Sequence, residues 1–272
     1  VLSVPAVQNK IRTTAEEELS KFLKTNVTIG KIEINPLSEL ALYDVRIPDQ
    51  QGGKMVTVDK IGAGMSLPNL VFFQRFVFNY AELIGLDGRI TKATPDSQMN
   101  IQFIIDALKP KDKNKPPTKF DVKLDAVVLR KSSLSFDVLS EPVGSGKFDK
   151  NHIRLQNINS DIRIPDLRND YFTFDIRRFA FSEHSGFHLN NLTALVHIDK
   201  RNITAKRLKI ELPGTRIEPA DISLHFNDLK TLGKEIKQIP LSLKIEEAPI
   251  TLSDFKAFVP ELGKVTMPMF LT

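Results

Sequence analysis

The residues that could hold a metal ion are two of the five histidines. His184 and His188 are four residues apart, a spacing that suits a metal when both lie on one face of a helix. Gly186 stands between them, and Phe187 and Leu189 alternate as in a strand, so the segment is predicted to turn into a strand. We therefore expect no metal site at this pair, and a pH-sensing role has hardly more support.

Motifs for covalent and phosphate chemistry are weak. Residues 144–147 (GSGK) resemble a fragment of a phosphate-binding loop but lack its spacing and its strand-to-helix context, so we interpret them as a flexible hairpin loop. No G-x-S-x-G motif occurs, and the adjacent acids at 16–18 and 246–247 are expected on solvated surface. The chain has no cysteine, which removes disulfides, thiolate zinc sites and cysteine nucleophiles. We expect no enzyme activity and no cofactor.

The net charge is mild evidence for an anionic partner. The 272 residues carry 38 basic and 33 acidic side chains, and the excess of +5 is spread along the chain. It weakly favours a membrane surface, whereas nucleic acid would need a concentrated basic stripe or aromatic residues interleaved with Arg and Lys, and neither occurs. The densest basic run, residues 109–119, contains three prolines and is interpreted as a solvated linker.

The first element that would position any site is a helix. Pro5 lies near its start, with Ser3 available as the N-cap, and apolar residues recur at three- and four-residue spacing as far as Leu23. The acidic residues 16–18 fall outside this stripe. A helix packed on its own domain is favoured over a helix lying on a membrane, because interfacial helices prefer Lys and Arg on their polar face.

Beyond residue 26 the apolar residues alternate with polar ones, as expected for strands that are apolar on one face. Gly30 stands at a change of phase and suggests a bulge, and a second phase slip separates Leu42 from Val45. Because crossover helices are not evident between the strands, the predicted fold is mostly β, an elongated and curved antiparallel sheet. Short helices are expected to start at Pro95 and Ser253, and a single turn at residues 70–73.

The predicted organisation has four parts. These are an N-terminal helix over residues 1–25 that follows a missing membrane anchor, a first β segment with a closing helix over 26–109, a linker over 110–119, and a second β segment over 120–272 that is truncated at its C-terminus. No run of about 18 apolar residues occurs, so no segment of this sequence is expected to span a bilayer.

The apolar faces of the strands are the remaining candidate for a functional site. There are 18 phenylalanines, 3 tyrosines and no tryptophan, so the aromatic surface mostly lacks the polar group of a phenol or an indole. Two interpretations share one period-two pattern. The faces either pack together as the core of a closed β-sandwich, a structural or adhesive module without lipid, or form an open groove that meets a lipid or another apolar ligand.

Several segments resemble the AsmA-like superfamily, and most closely TamB (translocation and assembly module) proteins of the Bacteroidetes type, in their N-terminal membrane-proximal part. The segments are residues 27–34 (VTIGKIEI), 40–49 (LALYDVRIPD), 95–97 with 100–108, 185–189 with 208–215, and 250–255 with 258–260. Each is degenerate, but they follow one another in the expected order over nearly the whole chain.

The resemblance implies a periplasmic protein anchored to the inner membrane, with an apolar β-groove. It would conduct phospholipid towards the outer membrane, assist outer-membrane protein assembly with a TamA-like barrel partner, or both. It implies no catalytic residue, no cofactor and no nucleic acid. The expected groove lining is Phe120, Val122, Leu124, Phe172, Phe174, Phe179, Phe181, Val196, Leu208, Ile210 and Leu224.

Overall fold

The computed structural model describes residues 5–35, 39–65, 76–108, 120–144, 147–168, 171–226, 241–245, 248–259, 262 and 268–271. Over these residues the protein is mostly β with two α-helices, as the sequence predicted. Neither helix is both long and apolar enough to cross a membrane within the described ranges.

The elements follow in chain order. The helices are α1 (Pro5–Leu23) and α2 (Gln102–Leu108). The first strands are β1 (Lys31–Asn35), β2 (Glu39–Pro48), β3 (Lys54–Met65), β4 (Phe76–Ile84), β5 (Asp87–Lys92), β6 (Phe120–Val138) and β7 (His152–Arg168). They are followed by β8 (Tyr171–Glu183), β9 (His188–Leu189), β10 (Asn191–Ile198), β11 (Asn202–Glu211), β12 (Arg216–His225), β13 (Leu241–Ile245), β14 (Ala248–Thr251) and β15 (Pro268–Leu271), with a 3-10 turn at Leu252–Phe255.

The chain divides into two compact units. Unit 1 comprises Val1–Gly144 and Asp149–Ile158, and unit 2 comprises Ser145–Phe148 and Asn159–Thr272. The expected linker at 110–119 lies outside the described residues.

The sheet of unit 1 contains parallel as well as antiparallel pairs. Its strand order is β1-β2-β3-β4-β6-β7, and β5 pairs with both β3 and β6. Strands β4 and β5 both run parallel to β6, whereas β1–β2, β2–β3, β3–β4 and β3–β5 are antiparallel. Parallel pairing needs a long crossover, and the chain between β5 and β6, which includes α2, supplies it. The parallel pairs correct the expectation of an antiparallel sheet, because the sequence pattern did not identify the segment between β5 and β6 as a crossover.

Helix α1 covers the apolar side of unit 1. Ile32, Val45 and Val58 are each 2% exposed and belong to one core cluster. Side chains of both helices pack against this cluster: Ile11, Ala15, Leu19 and Phe22 from α1, and Phe103, Ile104 and Ala107 from α2. The first helix therefore packs on its own unit, as the sequence predicted.

A polar clamp fixes α1 on the sheet. Oε1 of Glu16 accepts hydrogen bonds from the backbone N–H of Ile29 at 2.7 Å and from Nη1 of Arg12 at 2.8 Å. Nη1 of Arg12 also donates to the carbonyl of Ile29 at 3.2 Å. One turn further along the helix, the Ser20 hydroxyl accepts the N–H of Val27 at 3.0 Å. These bonds satisfy backbone groups beside β1 that no strand neighbour takes up.

A line of irregular backbone, here called the crease, crosses the strands of unit 1. Asp44 in β2 and Lys131 in β6 have φ values of 52° and 49°, a left-handed conformation that is uncommon outside glycine. The register sets Asp44 opposite Asp59, because Tyr43 pairs with Lys60 and Val45 with Val58. The crease also includes Gly30, Gly85 and Asn157, of which Gly85 (φ 67°) and Asn157 (φ 53°) are left-handed as well.

Packing at the crease explains why glycine stands at position 30. A Cβ atom there would lie 2.9 Å from the Cβ of Asp44, closer than real Cβ contacts allow. At the crease the apolar positions of β2 change from Leu40 and Leu42 to Val45 and Ile47, and all four are buried or half-buried. The phase slips seen in the sequence are thus bulge-like irregularities that keep apolar side chains on one face.

Unit 2 contains a simpler sheet. Strands β8, β10, β11, β12 and β13 lie side by side in this order, and each neighbouring pair is antiparallel. Strand β9 pairs with the end of β8, and β14 and β15 form a separate two-stranded sheet. The Thr251 N–H donates to Oγ1 of Thr215 at 2.9 Å, which ties the small sheet to the turn before β12.

Unit 2 has a crease of its own. Arg207 in β11 has a φ of 54°, and the register between β10 and β11 shifts between Thr193 and Leu195. The backbone N–H that this bulge frees donates to Oδ1 of Asp221 at 3.0 Å. Because the bulge adds one residue, Leu208 lies on the same face as Ala205. With strict alternation the two side chains would lie on opposite faces.

Two predicted helices differ from the structure. Residues near Pro95 form turns, and α2 begins only at Gln102. The Ser97 hydroxyl donates to the carbonyl of Thr94 at 2.8 Å, and the Asn100 N–H donates to Thr91 at 2.9 Å, so local hydrogen bonds replace a helical start. The helix expected at Ser253 is a 3-10 turn followed by hydrogen-bonded turns. The turn expected at 70–73 lies outside the described residues.

Candidate functional site

The candidate site is the apolar side of the unit 2 sheet. Residues directly opposite each other on antiparallel strands share a face, so the register defines cross-strand rows. Three rows run from β8 to β12: Phe172–Ile198–Ile203–Leu224, Phe174–Val196–Ala205–Ile222, and Ile176–Ala194 continued by Leu208–Ala220. These twelve residues are called the apolar face below.

The apolar face is only half-buried. Ala194, Leu208 and Ala220 at its centre are 5%, 5% and 2% exposed, whereas the other nine residues keep a larger accessible fraction. The described residues of unit 2 include no α-helix that could cover the face. A sheet with this much accessible hydrocarbon can accept an apolar ligand without first removing a packed layer.

The structure places the predicted lining residues in three groups. Phe172, Phe174, Val196, Leu208 and Leu224 lie on the apolar face, where the rings of Phe172 and Phe174 stack at 6.5 Å.

Ile210 extends the face by a further row, since it pairs with Leu192 and Ile217. In β8 the apolar positions change from even-numbered residues, which end at Ile176, to the odd-numbered Phe179 and Phe181. These two phenylalanines belong to an aromatic cluster described below. The third group lies in unit 1 and consists of Phe120, Val122 and Leu124. Their backbone forms the start of β6, and their side chains lie outside the described residues.

Sequence reasoning missed seven residues of the face. Ile176, Ala194 and Ala220 continue the alternation of their strands and could have been included. Ile198 and Ile222 show the same period-two signal as their neighbours and could have been included. Ile203 and Ala205 were missed because the bulge at Arg207 puts them out of phase with Leu208.

The other side of the sheet is polar and internally paired. Glu218 lies between Lys209 at 2.8 Å and Arg216 at 2.6 Å. The hydrogen bond from Lys209, followed by that from Arg216, holds the pKa of Glu218 below its ordinary value. Nδ1 of His197 lies 3.1 Å from the Thr173 hydroxyl. The sheet of unit 2 is therefore amphipathic, with its charges on one side and its hydrocarbon on the other.

Five phenylalanines form an aromatic cluster at one end of unit 2. The chain of ring contacts runs Phe179–Phe181 (5.5 Å), Phe181–Phe187 (6.0 Å), Phe187–Phe258 (5.2 Å) and Phe258–Phe148 (5.0 Å). Most of these rings are tilted or edge-on, arrangements that aromatic pairs prefer. The group is called the Phe cluster below.

The histidine pair lies beside this cluster. His184 is exposed in the turn after β8, and Nδ1 of His188 lies 3.1 Å from the Ser182 hydroxyl across the β8–β9 pair. Within the described ranges no three His, Asp or Glu residues come together as metal ligands would. In the predicted hairpin loop, residues 145 and 146 lie outside the described residues.

A depression of unit 1 lies along its crease. It measures about 690 Å³ and is lined mainly by β2 and β3, including Asp44, Arg46, Lys54 and Asp59. Its charged rim differs from the uncharged apolar face of unit 2.

Comparison with protein-family models finds no match to the chain, and comparison with curated proteins finds none either.

Proposed function

We propose that this chain is the membrane-proximal, periplasmic part of an inner-membrane-anchored envelope protein of the AsmA-like type, and that it conducts phospholipid along the apolar face of unit 2. The observation that carries the proposal is a half-buried face of three apolar rows, with no α-helix over it among the described residues. The resemblance of the sequence extends the proposal to assembly of outer-membrane proteins with a TamA-like partner.

The physical argument is burial of acyl chains. Removing apolar surface from water contributes about 25 cal/mol per Å², or roughly 0.8 kcal/mol per methylene. The interaction is non-directional, and the side chains of Phe174, Val196 and Ile222 offer no hydrogen-bonding group. Such a face holds an acyl chain without fixing its position, which suits movement along the face better than capture at one point.

The proposal is tested by a pair of variants on neighbouring positions of β10. Val196 lies on the apolar face opposite Phe174, and Leu195 lies on the other side of the strand, opposite Asp175. We expect the purified chain to carry phospholipid, detected by mass spectrometry of a solvent extract. Val196→Asp should lower this content at least about tenfold, since a carboxylate on the face would be buried without a partner. The matched control Leu195→Asp should retain the lipid.

Two results would refute lipid conduction by this face. One is a wild-type chain free of lipid after expression in a lipid-rich envelope. The other is an equal loss of lipid in the two variants, which would show that the effect comes from general destabilisation.

A second candidate function is favoured for unit 1 by the packing of its core. Ile32, Val45 and Val58 are 2% exposed beneath α1, as in a closed structural module. Hydrogen exchange with and without phospholipid separates the two functions. We expect added protection in β8 to β12, and protection in β1 to β3 instead would move the lipid site to unit 1.

A further inference from the structure

The end of unit 2 beyond β14 exposes two large apolar side chains together. Phe258 and Val259 are each 45% exposed. The Phe258 ring contacts Phe148 and Phe187, so the exposed pair is the outer edge of the Phe cluster. Two adjacent exposed apolar residues backed by half-buried aromatic rings form a continuous apolar surface, which soluble proteins usually keep for a partner.

Backbone hydrogen bonds hold this edge in place. The N–H groups of Phe258 and Val259 both donate to the carbonyl of Phe255, at 3.0 and 3.1 Å. The N–H of Phe148 donates to the carbonyl of Ala257 at 2.8 Å, which joins the two segments that carry the rings of Phe148 and Phe258. The preceding turn is anchored by Asp254, whose Oδ2 accepts the N–H of Gly214 at 3.0 Å. The exposed ring is therefore presented outward by ordered backbone.

Two exposed lysines lie beside this edge. Lys147 precedes Phe148, Lys256 precedes Ala257, and both lysines are exposed. Neither forms an ion pair with any residue that the structure describes. The described carboxylates nearest to them in sequence accept backbone N–H groups: Asp149 accepts those of Gly144 and Asn151, and Asp254 accepts that of Gly214.

We propose that this edge docks unit 2 on the surface of an anionic lipid bilayer, with Phe258 and Val259 inserted among the headgroups and Lys147 and Lys256 on the phosphates. A combination of plain apolar side chains and lysines is typical of interfacial membrane anchors. Each lysine near an anionic surface adds about a fivefold gain in affinity. The proposal goes beyond lipid conduction along the apolar face and does not depend on it.

The chemistry of the edge favours a lipid surface over a protein partner. A protein partner would favour aromatic residues with a polar group, such as Tyr or Trp, and matched hydrogen bonds at the rim. Here the exposed aromatic is Phe, and the flanking polar groups are two ammonium groups without a carboxylate partner among the described residues. A second copy of the chain would bring like charges together across a two-fold axis.

The test is flotation of the 272-residue chain with vesicles. Vesicles of phosphatidylcholine with about one third phosphatidylglycerol should carry the chain upward in a density gradient, and pure phosphatidylcholine should carry much less. Raising the salt to about 1 M should weaken the binding, because the Debye length falls to about 3 Å. We expect about tenfold weaker binding for Phe258→Ser with Val259→Ser, and a similar loss for Lys147→Glu with Lys256→Glu.

The control is Ile105→Ser, which removes an exposed apolar residue (40%) from α2 in unit 1 and should bind as wild type. Unfolding of each variant by circular dichroism verifies that it is folded, and the lysine pair provides a second test if the apolar pair fails to fold. Wild-type chain that does not float with anionic vesicles would overturn the proposal, as would unchanged binding of both double variants. Conversion of a wild-type dimer to a monomer by the apolar pair, without vesicle binding, would assign the edge to self-association instead.

Discussion

The two units use one type of strand for two different purposes. In unit 1 the apolar side of the sheet is sealed by α1, and Val58 there is 2% exposed. In unit 2 strands of the same length and alternation leave Val196 and Ile222 half-buried. The difference between a core and an accessible face therefore depends on the covering helices α1 and α2, and the strands themselves do not reveal it.

Each unit has a crease of its own. Left-handed residues stand within β2, β6 and β7 of unit 1 and within β11 of unit 2. In β2 and β11 the irregularity returns apolar side chains to the same side of the sheet after a break in alternation. Left-handed residues within strands are thus found in both units, whereas the covering helices belong to unit 1.

The largest expected contrast between the units is the cost of removing an apolar side chain. Ile32→Ala in the unit 1 core should lower the free energy of unfolding by about 3 kcal/mol, because it leaves a cavity in packed surroundings. Ile222→Ala on the apolar face should cost only about 1 kcal/mol, because part of that side chain already meets water. Urea unfolding followed by circular dichroism measures both, and equal costs would remove the distinction between core and face.

Releasing α1 should make unit 1 resemble unit 2. Glu16→Ala removes the acceptor of the Ile29 N–H and of Arg12, and we expect a loss of about 2 kcal/mol in the free energy of unfolding. Binding of an apolar dye should rise at the same time, since the core below the helix becomes accessible. Glu17→Ala, an exposed neighbour on the same helix, is the matched control. Unchanged dye binding in Glu16→Ala would show that the clamp does not hold the cover.

The crease should respond alike in both units, with a smaller effect. A non-glycine residue in the left-handed region is disfavoured by about 1–2 kcal/mol. Lys131→Gly and Arg207→Gly should therefore raise stability by up to about 1 kcal/mol, while Lys131→Val and Arg207→Val should lower it, because a β-branched side chain fits this conformation worst. Thermal unfolding of the four variants tests this, and a stabilising valine would show that the position is not held left-handed in solution.

The smallest expected effect is a pH dependence confined to unit 1. Nδ1 of His152 lies 3.0 Å from Asp137 Oδ1, and Nε2 lies 3.0 Å from the carbonyl oxygen of Glu141. Both partners are acceptors, so both ring nitrogens must donate, which requires the protonated imidazole. The hydrogen bond with Asp137 raises the pKa of His152 above 6.5, the carbonyl of Glu141 and the charge of Asp149 add to the rise, and desolvation opposes it.

The sign of this dependence follows from the raised pKa. The stabilisation by His152 is complete below the ordinary pKa of about 6.5 and is lost as the pH rises through the higher value of the folded state. The free energy of unfolding measured from pH 6 to 9 should fall with pH in the wild type, and His152→Gln should flatten this slope. Identical slopes in the two proteins would contradict the assignment of a protonated His152.

The local features of this fold were predictable from the sequence, and the distant contacts were not. The amphipathic stripe of α1 and the alternation in the strands are set by spacing along the chain, and the phase slips at Gly30 and Val45 coincide with the crease. The parallel pairing of β4 with β6 could not be predicted, because it joins strands separated by β5, α2 and the segment between α2 and β6.

The candidate site was predictable as a set of strands but not as a face. Val58 and Val196 both stand in strands where apolar and polar residues alternate. Val58 is a core residue because helical side chains pack against its cluster. Phe179 and Phe181 joined the predicted lining because they alternate like Phe172 and Phe174. The contact of Phe181 with Phe187 depends on the turn at residues 184–187, and Phe258 joins the cluster from more than 70 positions further along the chain.

The parallel pairing in unit 1 has a consequence for the order of folding. In unit 2, β10, β11 and β12 each pair with the next strand along the chain, so their contacts close short loops. In unit 1, β4 pairs with β6, and β5, α2 and a long connection separate these two strands in the sequence. Folding rates fall as contacts become more distant in sequence. We expect the amide groups of β10 to β12 to gain protection from hydrogen exchange before those of β4 and β6 in a pulse-labelling experiment.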